Sequence, residues 1–415
     1  MRVCVDRRLI GTKRHLLIDS ECQSSSFWTD VIPESSWWLS GRIKEIQHCL
    51  DTVFRLEHVE FPVVIPKKYI EVAYTVIGQN YGTVDIPWHD FMSSDDHRAF
   101  IKNSAANILR SIDGLDTEYS SCHWRNIGRV LTRLRPSNID TAALTGHLLC
   151  ETSDSQISIL RSFTPTMGTM IDPPVYDRFG TKTGRLTVES GPQILTVKKS
   201  HRNIVRSVYD DGRVISIDLA SAEARVLYLE THESLETDDI YTFVNEQFFK
   251  SRLPRDVVKS AVLCEIFGMG SKGLSEKLGC SLSNAEKFMS RINDLFKTDD
   301  LRGRLRHQFV DEGFIRNRFG RKIKVSDLGV IVNNYVQSTA VDVALYGFVD
   351  LIERLETLSL DIRPLMVIHD DLLIDCPGRL IERVCKEIKE VFVPLYETNT
   401  FPVKVTVNER FEDVE

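Results

Sequence analysis

The sequence predicts an α+β fold, on three observations. Short apolar segments such as RVISIDL (213–219) and the two halves of RPLMVIHDDLLIDCP (363–377) read as strands, the latter meeting at His369–Asp371. NRFGRKIKV (317–325) has the form of a hairpin. VNNYVQSTAVDVALYGFVDLIERL (332–355) has the spacing of a long amphipathic helix. Strands and helices interspersed with antiparallel hairpins, rather than strict strand–helix alternation, are the α+β pattern.

The elements follow in order. Residues 1–95 are mixed: apolar runs such as HLLIDSE and FPVVIP are separated by polar stretches like CQSSSFWTD. From Asp95 to Leu149 the pattern turns helical, as in HRAFIKNSAANILRSI and WRNIGRVLTRLRP, with arginines repeated on one side. FTPTMGTMIDPPVYDRFGTKTGRLT (163–187), rich in Pro, Gly and Thr, marks a boundary or an ordered loop region. The strand RVISIDL leads into a helix, SAEARVLYLE, with Ser221 and Glu223 near its start. Residues 236–300 look helical, with Pro254 suited to a first turn and Gly268 and Gly270 to an end. A final helix and a strand in FPVKVTV close the chain.

At 415 residues and 47.5 kDa the chain has the mass of two or three domains. Hydrophobic residues make up 42% and charged residues 27%, which excludes disordered and collagen-like classes. The net charge of -7 argues against a surface coated in basic residues but leaves room for a locally basic groove. No apolar run reaches the ~18 residues of a membrane helix, and the first residues, MRVCVDRRLIGTKRHLLIDSE, carry charges too closely spaced for a signal peptide. Nine scattered cysteines without a C-x-x-C pair point to a reducing compartment, and the eleven histidines show no zinc spacing.

Three constellations could carry chemistry. Asp218 ends an apolar strand, and Asp370–Asp371 interrupt an apolar pair of strands. An acid at the end of a buried strand is costly unless a cation meets it. Two such sites brought together could bind divalent metal, since Mg²⁺ takes one or two carboxylates plus phosphate oxygens. Alone, each is also an ordinary solvated turn acid. In the second, Arg255, Lys259, Leu263 and Phe267 are spaced by four. Steps of ~40° put all four within a ~120° helix face, fit for a triphosphate at the cationic end and a sugar and base at the other. An amphipathic helix with snorkelling cations has the same spacing. The third is T-G-R-L (Thr183–Leu186), near Lys182, Lys198, Lys199, His201, Arg202 and Arg206, which could meet backbone phosphates or simply be solvated.

The order of these strings resembles the polymerase domain of the family A, DNA polymerase I-like, DNA polymerases. D-L-A-S-A-E-A-R (218–225) is similar to the first palm motif D-Y-S-Q-I-E-L-R. R-D-V-V-K-S-A-V-L-C-E-I-F-G (255–268) resembles the fingers motif R-x-x-x-K-x-x-x-[F/Y]-x-x-x-Y-G, and V-I-H-D-D (367–371) the motif V-H-D-E. T-G-R-L is the family's own string, N-N-Y-V-Q-S-T-A-V-D (333–342) resembles N-x-x-x-Q-G-T-A-A-D, and G-R-K (320–322) resembles G-R-R. The six strings run in the family's order over roughly residues 150–415 and do not cover the first ~95.

The resemblance implies a right-hand polymerase: a palm with an antiparallel sheet, helical fingers and a thumb, plus a small N-terminal region. The expected divisions are 1–95 for that region, 96–165 for the thumb, 166–235 and 331–415 for the palm, and 236–330 for the fingers. It implies a DNA-templated DNA polymerase that adds deoxynucleotides to a primer 3′-hydroxyl with two Mg²⁺ ions, Mn²⁺ being a possible substitute. The implied metal ligands are Asp218, the Leu219 carbonyl and Asp370, with Asp371 standing where the family usually has the longer Glu. Arg255 and Lys259 would contact the triphosphate, Lys259 as candidate proton donor to pyrophosphate. Glu223 matches the steric gate that crowds a ribose 2′-hydroxyl. Tyr241, Leu263 and Phe267 fall at further nucleotide-binding positions; the family often has His, Phe or Tyr, and Tyr there, and these departures imply altered fidelity. Arg185, Arg321, Asn333, Gln337 and His369 would hold primer and template.

Relatives often carry a proofreading exonuclease ahead of the thumb, and residues 1–95 offer too little chain for one. Asp19-x-Glu21 and Asn80 to Asp85 faintly resemble its first two motifs, and no third follows. The expected partners are primer–template DNA and dNTPs, without a membrane, for a monomer in the cytoplasm (the host's, if the source is a phage or mobile element). Two alternatives are a related RNA-synthesising or reverse-transcribing enzyme, against which Glu223 argues, and an inactive DNA-binding accessory protein, against which the joint presence of Asp218, Asp370, Arg255 and Lys259 argues.

Overall fold

The computed structural model describes residues 1–20, 26–41, 48–77, 88–251, 253–391, 395–396 and 399–411. The chain forms two compact units, Met1–Arg125 and Asn126–Glu415. Among the described residues no helix is long and apolar enough to cross a membrane.

In the first unit the strands are β1 (Arg2–Val5), β2 (His15–Asp19), β3 (Ser26–Thr29) and β4 (Trp37–Leu39). They form one sheet in the order β3-β2-β1-β4, with β4 parallel to β1 and the rest antiparallel. The helices are α1 (Arg7–Ile10), α2 (Leu50–Leu56), α3 (Lys67–Ile77) and α4 (Ser94–Ile112); α5 (Thr117–Leu131) contains the division between the units. Val3, Val5, Leu16, Ile18 and Leu39 of the sheet pack with Leu50, Val53 and Phe54 of α2. Phe100, Ile108 and Ile112 of α4 enter the same core. The expected boundary at 95 falls inside this compact unit, with the apolar stripe of α4 buried in its core.

The second unit runs β5 (Ser137–Ile139), α6 (Thr141–Cys150), α7 (Asp154–Arg161), β6 (Met170–Ile171), β7 (Val175–Asp177), β8 (Thr187–Ser190), β9 (Val205–Arg206) and β10 (Arg213–Leu219). A helical stretch follows: α8 (Ala222–Leu229), α9 (Ile240–Phe249), α10 (Arg255–Ile266), α11 (Ser271–Leu278), α12 (Leu282–Phe296) and α13 (Thr298–Glu312). The hairpin β11 (Ile315–Arg316)–β12 (Lys322–Ile323) leads to the long α14 (Ile331–Thr357). Then come β13 (Arg363–Ile368), β14 (Asp371–Cys376), α15 (Ile381–Val391), β15 (Leu395–Tyr396), β16 (Asn399–Thr400) and β17 (Val403–Asn408).

The main sheet has the order β13-β14-β10-β17, antiparallel throughout. Alternate residues of β10 serve different cores, as the two-residue period of a strand requires. Ile215, Ile217 and Leu219, with Leu372 and Ile374, pack into the large core that includes α8, α10 and α14. Val214 and Leu373, with Leu365, Met366 and Ile368, pack into the core under α6 and α7. Ser216 and Asp218 share the face of Val214. With both faces covered, β14 is buried along its whole length.

Candidate active site

The two carboxylate positions meet through strand pairing. Asp218 on β10 stands directly opposite Asp371 on β14, and the Leu219 amide donates to the Asp370 carbonyl at 3.2 Å. The aspartates are therefore juxtaposed at one end of the sheet, across 152 intervening positions' worth of chain in no way local. Two residues in left-handed backbone border them: Ser221, at φ 56° between β10 and α8, and His369, at φ 59° in the turn joining β13 to β14. Such conformations cost non-glycine residues of order 1–3 kcal/mol and persist where the surroundings fix them. A narrow cleft here is lined by Arg185, Glu223, Gln337, Ala340, Val341, His369 and Asp370.

Carboxylates and cations meet in it, and burial weighs on both titrating groups. Burial, then the Glu223 and Asp371 carboxylates, push the Asp370 carboxyl up to about 7 against the opposing pull of Arg185. His369 is held below the usual imidazole range by burial and by Arg185 and Arg202. Among the described residues no three His, Cys, Asp or Glu side chains form a metal-holding group. Asp218, Asp370 and the backbone of Leu219 are hard oxygen donors of the kind that could hold a divalent ion such as Mg²⁺, with water and phosphate completing its shell. The Asp371 carboxylate accepts from the Ile217 amide at 2.9 Å and the Ser216 hydroxyl at 2.8 Å, which ties β14 to β10.

On α10 the expected face is present. Arg255, Lys259 and Phe267 are exposed and Leu263 is half-buried, while Val258, Ala261, Val262 and Glu265 of the other faces are buried. The Arg255 guanidinium lies over the Tyr241 ring, 5.1 Å from its centroid, and grips Asp239 with two bonds of 2.6 and 3.2 Å. Burial tends to raise the Asp239 carboxyl, but Arg255, Thr242 and the Tyr241 amide hold it down to about 2. Tyr241 is only 3% exposed, and burial raises its phenol to about 12 against the opposing influence of nearby Ser221. It therefore supports Arg255 from below instead of offering a hydroxyl to the solvent. Arg225, ending the string that Asp218 begins, is 1% exposed and donates to the carbonyls of Ala220, Thr237 and Asp238 at 3.1, 2.6 and 2.7 Å. Burial lowers its pKa.

The expected nucleic-acid contacts divide. Arg185 reaches Glu223 at 2.6 Å, and Thr183 bonds Gln337 at 2.6 Å. Asn333 is half-buried on α14, its Oδ1 lacking a hydrogen-bond partner. Arg321 is 5% exposed and its guanidinium is held by Asp342, the Thr183 carbonyl and the Ser338 carbonyl, so it supports the 183–186 turn from within. The surrounding cations are largely engaged by protein: Lys182 with Ser326, Lys198 and His201 with Glu151, and Arg202 against the Phe411 ring. Arg129 and Arg133 pair with Glu353, and Arg133 also with Glu356, tying α5 to α14. In the first unit Asp19 pairs with Arg2 at 3.1 Å; Glu21 and Asn80 to Asp85 lie outside the described residues.

Asp239 is the position that sequence reading misses. The only local sign of Asp239 is a capping acid before I-Y-T, where it accepts from the Tyr241 amide at 3.0 Å. Its pairing with Arg255 is long-range and leaves no mark in spacing.

Comparison with known proteins gives a consistent picture. Residues 172–412 match the family model described as DNA polymerase family A. DNA polymerase I of Chloroflexus aurantiacus is 24% identical over 264 residues, covering 56% of this chain and 28% of that protein. The thermostable DNA polymerase I of Thermus aquaticus is 27% identical over 264 residues, covering 56% of this chain and 31% of its own length. The chain thus spans less than a third of these relatives. Among solved structures, the POL domain of Pol1 from M. smegmatis, in complex with DNA primer-template and dNTP, superposes with a TM-score of 0.62 over 87% of this chain and 81% of that one. At 14% sequence identity this is a likeness of fold.

Proposed function

The chain belongs to DNA polymerase family A, and from that premise we propose that it extends a DNA primer on a DNA template, adding deoxynucleotides to the 3′-hydroxyl. The observation that carries the reading is the pairing of Asp218 with Asp371, and of Leu219 with Asp370, beside a helix face bearing Arg255 and Lys259. The link between the two is physical: Arg255 rests on Tyr241, and the Tyr241 phenol is close enough to Ser221, three residues past Asp218, to be influenced by it.

In this reading the β13-β14-β10-β17 sheet is the palm and α9–α13 are the fingers. Asp218, Asp370 and the Leu219 carbonyl would hold divalent ions, which when bound lower the cost of forming the 3′-oxyanion and of the charge on the departing pyrophosphate. Arg255 and Lys259 draw the triphosphate to the exposed face of α10, where Lys259 is placed to give a proton to the leaving group. Phe267, 39% exposed at the end of α10, offers a ring for stacking. Glu223 crowds the 2′ position and selects the deoxy sugar. Asn333, Gln337 and His369 face the primer terminus.

The test is primer extension with Mg²⁺, comparing wild type with Asp370→Ala. A loss of at least ~10³-fold is expected, because removing one carboxylate uncouples the ion clamp. Extension that survives the substitution would overturn the assignment. The RNA-synthesising alternative requires ribonucleotides to be incorporated as well as deoxynucleotides by the unaltered chain.

A further inference from the structure

We infer that Arg185 is the positioning residue of the sugar gate: it fixes the Glu223 carboxylate, so the choice between deoxy and ribo substrates is set by the 183–186 turn and the buried ion pair beneath it. This rests on the reading of Glu223 given above and deepens it.

A steric gate works only if it cannot swing aside. Glu223 lies in the first turn of α8, and a glutamate there has free rotamers unless something holds its head. Arg185 does so through a 2.6 Å ion pair between Nη2 and Oε1, with the glutamate side chain only 18% and the arginine 33% exposed. Charge-assisted bonds of this kind are short and directional. The pair also settles charge, since Glu223 and Asp370 line the same narrow cleft as Arg185. Without Arg185 the two carboxylates would repel, and Glu223 is the one free to move.

Arg185 is itself held from two sides. The Gln337 side chain, with its amide turned to satisfy both neighbours, donates to the Thr183 hydroxyl at 2.6 Å and accepts from the two Arg185 Nη atoms at 2.8 and 3.2 Å. Below, Gly184 at φ 77° lies so close to the Arg321 guanidinium that any Cβ would collide with it. Arg321 in turn bonds the Thr183 carbonyl at 2.9 Å and Asp342 at 3.0 Å, with Asp342 1% exposed. The line from Asp342 through Arg321, the 183–184 backbone and Arg185 to Glu223 is continuous. A purely DNA-facing arginine would need none of these restraints on its link to Glu223.

The experiment is single-nucleotide primer extension with Mg²⁺, reading kcat/KM for a dNTP and for the matching rNTP. Wild type, Glu223→Ala, Arg185→Ala, Arg185→Lys, the double variant Arg185→Ala/Glu223→Ala, and Asn333→Ala are compared. Arg185→Ala is expected to lower the dNTP/rNTP ratio by at least about tenfold, the scale of one lost charge-assisted hydrogen bond. It should lower the ratio no further in the Glu223→Ala background, and Arg185→Lys, which keeps the charge without the fork, should fall between. Asn333→Ala should depress both substrates equally and leave the ratio unchanged. Arg185→Ala that slows both substrates in the same proportion overturns the inference while leaving the polymerase reading intact. A wild type that extends no primer removes the polymerase reading itself.

Discussion

At the scale of single residues, the site is built from ion pairs whose partners are far apart in sequence. Asp239 caps α9 and grips Arg255, and its carboxyl is held down to about 2, below the ordinary 3.8. The sign follows: a lowered carboxyl contributes stability that is complete above its ordinary pKa and is lost as pH falls through the folded value. Urea unfolding of wild type and Asp239→Asn should therefore differ by a constant amount above about pH 5, with the gap closing between pH 4 and 2. A gap that persists unchanged at pH 2 would remove the ion pair as its cause. Both side chains are partly exposed, so solvent screening keeps the effect modest. The sequence shows the acid before I-Y-T and the arginine after Pro254, yet nothing in it says that they meet. The same holds for Arg185 with Glu223 and for Arg321 with Asp342. Arg321 looks like a groove cation in the string G-R-K and is in fact buried, because burial depends on what packs above a residue and not on its neighbours in the chain.

At the scale of elements, legibility follows periodicity. The spacing of Arg255, Lys259, Leu263 and Phe267 gives one helix face, and α10 presents that face outward as its alternation requires. The apolar runs ending at Asp218 and flanking Asp370 give two strands, and their pairing then brings the acids together without further information. The stripe on α4 is equally clear, but a stripe does not name its partner, which turns out to be the N-terminal core. The end of α10 supplies an element-scale prediction. Gly268 has φ 69°, and a Cβ there would stand 2.8 Å from the Gly329 carbonyl in the turn preceding α14. Gly268→Ala should cost at least about 1–2 kcal/mol, from the left-handed backbone alone, and more as the turn is pushed away. Thermal unfolding checks this; an unchanged midpoint would mean that α10 can end without touching that turn.

At the scale of the whole molecule, the two units own separate cores, one around Phe54 and one around Phe348, which are 2% and 0% exposed. Truncating either ring should cost about 3–5 kcal/mol in its own core. By calorimetry Phe54→Ala should lower one transition and Phe348→Ala another; a single transition moved by both would mean that the units unfold as one. The pleat of the main sheet also bears on how the gene can drift. One codon inserted between Arg213 and Asp218 would turn the acid toward the helices and thrust an isoleucine into its place. Only inserts of two would keep the facing, so tolerated changes in length should gather in the loops and spare these strands.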